Sequence, residues 1–390
     1  MYQITLTEEV YRNNPWDIPY KDRVAKLRNA MELGMKTVVY LYPEFDSSTF
    51  RYRGYNVAET LEYGFSWRGA CFQYSERNKL YCEDVHIDVL IIIRCPWDSK
   101  MEDFLHKMRK HGAVIGYDVD DLIYSPKYMP NIIEALGLQE DPELNFWYGM
   151  TQRYYMAAQM CDAYITTNDF LAGFLKNDFD KPCYTLKNYL NWLQERVSDF
   201  YYEEKQAKDS EKPFEIGYFS GSPTHVKDIS IIMPEVEEFL NAHTDVVFKI
   251  VGYMNLPEKY SYLVDKKKIQ FISFQTFTGL QYEQAKVDIN VVPLVNNSFS
   301  NCKSELKYFE SAIVGTVTCA TPSHAYAKAI KNQYNGFLCK EGEWLEIFEK
   351  IYRDGHNKSL LRRIREVALK EYSGRNQLKD VERILESLYN

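Results

Sequence analysis

The sequence predicts an α/β protein of two successive domains, each a parallel β-sheet covered on both faces by helices. Three observations carry this expectation. The chain has 390 residues, enough for about two domains of ordinary size. Short, wholly apolar runs alternate with amphipathic helical patterns, the signature of strands buried on both faces. A polar, charged stretch, Glu203 to Lys212, ends before Pro213 and separates two such series.

In the first series, "KTVVYLYP" and "VLIIIRCP" read as buried strands. "DSKMEDFLHKMRKHG" is a helix ending at Gly112, and "AVIGYDVDD" is the next strand. "CDAYITTN" and "CYTLKN" follow as further strands. Between "AVIGYDVDD" and "CDAYITTN", Pro126 to Met150 reads as an insertion or lid, rich in Pro, Asn and aromatic residues. In the second series, "FEIGYFS" is a strand, and "HVKDISIIMPEVEEFLNAH" is mostly helical, with Pro234 placed to kink it. Strands "VVFKIVG" and "KIQFISF", helix "GLQYEQAK" and strand "VDINVVPL" come next. A helix from about Lys303 leads to strand "TVTCAT", and "EWLEIFEKIYRD" and "KSLLRRIREVALKEY" are amphipathic helices. The boundaries expected are 1–202, a linker at 203–213, a second domain at 214–372, and a last helix at 373–390 that returns to the first domain.

Composition narrows the function classes. A net charge of -8 argues against a nucleic-acid partner and leaves room for a local basic pocket that takes a small phosphate ligand. The longest purely aliphatic run, Val89 to Ile93, is too short to span a bilayer. The start "MYQITLTEEVYRNNPWD" lacks the basic-then-apolar order of a signal peptide. The eight cysteines form no C-x-x-C pair, so they read as reduced thiols of a cytoplasmic protein.

In open parallel sheets, ligands sit beyond the carboxyl ends of the strands. Four stretches there carry chemistry. In "YFSGSPTHVKD", Gly221 and Ser222 let the backbone approach a ligand, and a helix begins near His225, so its N–H groups could meet a phosphate. The same residues also suit an ordinary capped turn. In "KSELKYFESAIVG", a helix from Lys303 brings Lys303, Lys307 and Glu310 within about 80° of one another, beside an apolar stripe of Leu306, Phe309 and Ile313. Two lysines there attract a diphosphate, and a carboxylate one turn deeper can accept from ribose hydroxyls. The plain alternative is a solvated Lys307–Glu310 pair. In "VIGYDVDDLIY", Asp118, Asp120 and Asp121 end a buried strand; they suit contacts to sugar hydroxyls, or caps and ion pairs. In "RYRGYNVAE", Arg51, Arg53 and Asn56 precede a helix; they suit substrate contacts, or a tie to the acidic turn.

Taken in order, "GYFSGSPTHVKD", "KIVGY", "INVVPL", "NSFSNCKSELKYFESAIVGTVTCAT" and "NQYNGFLC" resemble the donor half of group 1 (family 4) retaining glycosyltransferases of the GT-B fold. "FRYRGYNVAETLEYG", "GYDVDDLIY", "DAYITTND" and "LKNYLN" add a likeness to the bacterial polysaccharide and O-antigen branch, including rhamnosyltransferase-like members. The resemblance implies two Rossmann-like domains facing an interdomain cleft. It implies transfer of a sugar from a UDP-, GDP- or dTDP-sugar to a saccharide or lipid-linked acceptor, with peripheral membrane association through such an acceptor. No metal or other cofactor is implied. By position, Gly221, Ser222, His225, Lys227, Gly252, Lys303, Ser304 and Lys307 would serve the donor, with Glu310 on its ribose. Asp120 and Asp121 would be the catalytic-turn carboxylates, and Arg51, Arg53 and Asn56 would lie on the acceptor side. The sequence departs from the family in two places: an arginine common in relatives is Ser222, and a second glutamate eight residues before Glu310 is Cys302.

Two rivals remain open on the sequence. A Mg²⁺-dependent phosphatase of the haloacid-dehalogenase type would use Asp118 and Asp120 in D-x-D, although Leu122 stands where Thr or Val is wanted. A degenerate GT-B module would bind a sugar nucleotide without catalysis, and Cys302 is the feature that favours it.

Overall fold

The structure is a computed structural model that describes residues 14–207, 213–221, 226–355 and 357–390. The start of the chain, the linker residues 208–212, and Ser222 and His225 of the glycine turn lie outside them. The chain forms two compact units. The N-terminal unit holds the described part of Arg12–Asn191 together with Cys302–Ser304 and Tyr372–Asn390. The C-terminal unit holds Trp192–Asn301 and Glu305–Glu371.

The N-terminal sheet contains β1 (Lys36–Tyr42), β2 (Trp67–Gln73), β3 (Val89–Ile93), β4 (Val114–Asp118), β5 (Ala163–Thr166) and β6 (Cys183–Thr185). Its order is β2-β1-β3-β4-β5-β6, and every pairing is parallel. Around it lie α1 (Tyr20–Glu32), α2 (Asn56–Thr60), α3 (Ser99–Lys110) and α4 (Asp169–Asp178). β1 and β3 are buried almost throughout because helices cover both faces, which is why they read as unbroken apolar runs. β2, "WRGACFQ", carries Arg68, Gly69 and Gln73 and gave no strand pattern; a side chain at Gly69 would meet the Ala58 Cα at 3.1 Å. The stretch read as an insertion or lid is helical over Met129–Leu136 and Asp141–Gln159.

The C-terminal unit opens with α5 (Trp192–Ala207), which corrects the expected linker. Glu203 to Ala207 continue this helix, and Lys205 is buried on it. Its Nζ donates to the Val287 carbonyl at 2.7 Å and to Thr316 Oγ1 at 2.6 Å. Counting charges marked the segment as solvated; the helix instead sends one lysine inward as a hydrogen-bond donor.

The second sheet contains β7 (Phe214–Ser220), β8 (Val246–Gly252), β9 (Ile269–Ile272), β10 (Ile289–Val292), β11 (Val317–Ala320) and β12 (Phe337–Leu338), in the order β12-β11-β10-β7-β8-β9. All its pairings are parallel too. Its helices include α6 (Met233–Ala242), α7 (Phe277–Lys286), α8 (Leu306–Ala312), α9 (Trp344–Asp354) and α10 (Lys358–Tyr372). Pro234 does not kink one long helix. A short helix, Val226–Ser230, ends before it, and Pro234 sits in the first turn of α6, where its missing N–H costs nothing. α8 begins at Leu306, not Lys303; Lys303 to Glu305 form a non-helical link after the short helix Ser298–Cys302.

The last helix, α11 (Gly374–Tyr389), packs in the N-terminal unit against α2, β3 and β4. Glu386 accepts from Trp67 Nε1 at 2.7 Å and from Lys36 Nζ at 2.6 Å. All eight cysteines are free, and Cys71, Cys95, Cys161, Cys302, Cys319 and Cys339 are buried. Among the described residues no helix is long and apolar enough to cross a membrane.

Candidate functional site

Strand order locates the ligand-binding ends of both sheets. In the C-terminal sheet the order reverses between β7 and β10, and in the N-terminal sheet between β1 and β3. At such points the connections leave in opposite directions and open a crevice beyond the carboxyl strand ends.

Around the β7/β10 end, Gly221 is exposed just after β7, and Lys227 is exposed on the helix that follows. Gly252 closes β8 with φ +102, a backbone state that a side chain resists. A Cβ there would stand 2.0 Å from the Ser220 carbonyl oxygen, so only glycine lets these two strand ends meet. Asp228, which the sequence reading passed over, accepts from the Val295 N–H at 2.9 Å and so ties the exit of β7 to the exit of β10. Asn290 on β10 donates to the Lys307 carbonyl at 2.9 Å, fixing α8 over the sheet. Lys307 Nζ lies 5.2 Å from the Tyr218 ring centroid, a cation–π distance. Glu310, one turn on, is buried. Lys307 and Glu310 thus share α8, whereas Lys303 and Ser304 stand in the link before it. The three-residue face expected of one helix is split because the helix starts later.

Cys302 to Ser304 belong to the N-terminal unit, where two asparagines hold them. Asn168 caps α4 by accepting from the Leu171 N–H at 2.9 Å. Its Nδ2 donates to the Cys302 carbonyl at 2.8 Å and to that of Lys303 at 3.2 Å. Asn188, after β6, donates to Ser304 Oγ at 2.9 Å. The Cys302 thiol is pushed well up by burial, with the Asp121 charge adding to it, so it stays protonated.

The N-terminal strand ends carry two ion-pair groups. In the first, Arg53 clasps Asp118 with both ends of its guanidinium, at 2.9 and 2.8 Å. Arg53 lies in a wide π-type turn, Arg51–Tyr55. Burial pushes the Asp118 carboxyl up against the pull of Arg53, while Arg53, despite its own burial, is held above its ordinary value by Asp118. The proton therefore stays on the guanidinium.

In the second group, Arg94 stands just after β3 with a left-handed backbone, φ 45, uncommon for a residue with a side chain. Its Nε pairs with Asp120, and its other arm donates to Asp121 Oδ2 at 2.6 Å. Thr49 Oγ1 adds a bond to Asp120 Oδ2 at 3.1 Å. Burial works against the Arg94 charge, and the two carboxylates outweigh it, so its pKa rises. Asp120 and Asp121 keep side-chain exposures of 13% and 26%, so both can still meet a ligand. Arg94 was not singled out from the sequence, although its place immediately after "VLIII" is the signal that could have found it.

Several expectations are corrected here. Arg51, Arg53 and Asn56 are 4%, 1% and 0% exposed and offer an acceptor almost no surface. Asn56 donates to the Tyr189 carbonyl at 2.6 Å and accepts from Asn191 at 3.0 Å. Arg53 and Asn56 tie the turn to the interior, Arg53 to the acidic strand end. The phosphatase arrangement has no support in this geometry. Asp118, the nucleophile it needs, is 2% exposed and clasped by an arginine. Among the described residues no group of three His, Cys, Asp or Glu side chains is placed to hold a metal ion.

Two units, each built on a parallel six-stranded sheet of this order, with the last helix packed in the N-terminal one, give the chain the GT-B fold of glycosyltransferases. No protein-family model and no curated protein sequence matches the chain. Solved structures do. HepE of Anabaena, determined with UDP and glucose, is 12% identical, covering 90% of this chain and 100% of its own, with a TM-score of 0.58. Sucrose-phosphate synthase of Thermosynechococcus elongatus is 10% identical over 91% of this chain and 99% of its own, at 0.59. TarM of S. aureus, determined with fondaparinux, alpha-GlcNAc-glycerol and UDP, is 14% identical over 80% of this chain, at 0.50. The match takes in only 58% of the TarM chain, a little over half its length. At these identities the likeness establishes the fold.

Proposed function

We propose that the chain is a glycosyltransferase that moves a sugar from a nucleoside diphosphate sugar to a hydroxyl of a saccharide or lipid-linked acceptor in glycan synthesis. The retaining course belongs to the same reading through the sequence resemblance. The observation that carries it is the match along the whole length of HepE, a protein determined with UDP and glucose. Lys303 and Ser304, in the link before α8, and Lys307 on α8 would meet the diphosphate. Gly221, Ser222, His225, Lys227 and Gly252 would frame it, and Glu310 would accept from the ribose. Asp120 and Asp121, held by Arg94, would orient sugar hydroxyls.

The chemistry asked of the protein is mostly electrostatic. As the glycosidic bond breaks, negative charge grows on the departing diphosphate. Lysines and hydrogen-bond donors already in place stabilise that charge more in the transition state than in the bound substrate. In this reading the positive charge comes from side chains of the chain itself, with no added cofactor.

Calorimetry with UDP, GDP and dTDP tests the reading. At least one should bind, and Lys307→Ala or Glu310→Ala should weaken it by about 1–3 kcal/mol, the scale of a charged hydrogen bond. Unchanged affinity in both variants would remove the donor site from α8. Release of the nucleotide from its sugar conjugate would separate an enzyme from a degenerate binding module.

A further inference from the structure

Ser304 ends a chain of hydrogen bonds that runs only one way. The guanidinium of Arg53 has donors and no acceptor. Its Nη1 donates to the Leu186 carbonyl at 2.5 Å and to Asn188 Oδ1 at 3.1 Å. That contact fixes which end of the Asn188 amide is oxygen, because an amide nitrogen facing a guanidinium would bring two donors together. The Asn188 NH₂ must therefore face outward, and it donates to Ser304 Oγ at 2.9 Å. Ser304 is an acceptor in that bond and keeps its own O–H to donate. Among the described residues nothing accepts from that hydroxyl.

The backbone is oriented in the same sense. The carbonyls of Cys302 and Lys303 both face Asn168 Nδ2. No peptide bond in the chain is cis. In a trans peptide the N–H points opposite to the C=O. The N–H groups of Lys303 and Ser304 therefore face away from Asn168. Behind this segment the Arg53–Asp118 pair is neutral overall, so it raises no repulsion against an anion.

We propose that Arg53, Asn188 and Asn168 are positioning residues for an anion. They turn the hydroxyl and N–H of Ser304 into preset donors to the diphosphate of the donor nucleotide. This rests on the reading of Lys303 to Lys307 as the diphosphate-binding stretch. It gives Arg53 a part in donor binding, through Asn188, in place of the acceptor contact expected from the sequence. Bonds that all point one way polarise one another, so the terminal hydroxyl is a better donor than an isolated serine.

A double-mutant cycle tests it, with UDP, GDP and dTDP as probes and calorimetry as readout. Ser304→Ala should weaken the nucleotide that wild type binds by about 10-fold. Asn188→Ala should do nearly the same alone and add nothing in the Ser304→Ala background, because it acts only through that hydroxyl. Asn188→Asp keeps the bond from Arg53 but takes the Ser304 proton for itself, so it should weaken binding at least as much. Should Asn188→Ala fail to fold, Ser304→Ala and Asn188→Asp decide the matter. Wild-type affinity in Ser304→Ala, or the same loss from Asn188→Ala in both backgrounds, overturns the relay alone. A wild-type chain that binds none of the three nucleotides overturns the parent reading, and the relay with it.

Discussion

Asp178, at the end of α4, shows how a single carboxylate is held in this protein. It accepts from Tyr124 at 2.7 Å, Tyr128 at 2.5 Å and Lys127 at 2.6 Å. Burial pushes its pKa up, but the three donors outweigh burial and hold it below the usual carboxylate range. A depressed folded-state pKa adds stability that is complete above the unfolded value, about 3.9, and is lost as pH falls through the lower folded value. Wild type should therefore exceed Asp178→Asn in urea resistance at about pH 7, and the gap should close toward about pH 2–3. A gap that does not change with pH would mean the carboxylate charge contributes nothing. Donors also meet Asp118, Asp120 and Asp121. There the donors are arginines, and burial decides the outcome: Asp118 is shut in with Arg53, while Asp120 and Asp121 keep part of their surface.

At the scale of elements, α5 and α8 are the informative cases. α5 runs through a sequence that reads as linker because Glu203, Glu204, Lys205 and Gln206 stand in succession. Charge counting treats all four alike. The helix instead separates them, exposing the glutamates and burying Lys205 against the ends of α7 and β11. Lys205→Met should cost about 1–3 kcal/mol of unfolding free energy, because the Val287 carbonyl and Thr316 hydroxyl lose a charged donor. Urea unfolding reads this directly, and a change within about 0.5 kcal/mol would return Lys205 to the ordinary surface class. α8 shows the opposite effect. The 100° step correctly pairs Lys307 with Glu310. It cannot show that the helix is only Leu306–Ala312, since Asn168 and Asn188 hold the preceding link from far along the chain.

At the scale of the whole molecule, neither unit is continuous in sequence. The chain passes from one to the other after Asn191, around Cys302–Ser304, and after Glu371. α11 is the clearest consequence. It buries Val381, Ile384, Leu385 and Leu388 in the N-terminal unit, each worth about 1.5–3 kcal/mol. Ending the chain after Ser373 should destabilise the N-terminal unit by several of these increments and expose Trp67. Limited proteolysis should then cut β1 and β2 well before the C-terminal sheet. Equal resistance of the two units would show that α11 is dispensable.

Much of the fold was legible in the sequence, because buried parallel strands must be apolar and their covering helices must be amphipathic. β1, β3, β7, β8 and β10 announce themselves this way. The arginine-bearing β2 and the two-residue β12 do not, since their place depends on neighbours. For the candidate site, the sequence determined that Gly221, Gly252, Asp118, Asp120 and Asp121 stand at strand ends and that a basic run begins at Lys303. Only the tertiary structure decided what each one faces. Arg53 and Asp118 lie 65 positions apart, and Asn168 and Cys302 134 apart. Periodicity describes the faces of one element, whereas these pairings arise when separate elements pack and each buried polar group must find its partner.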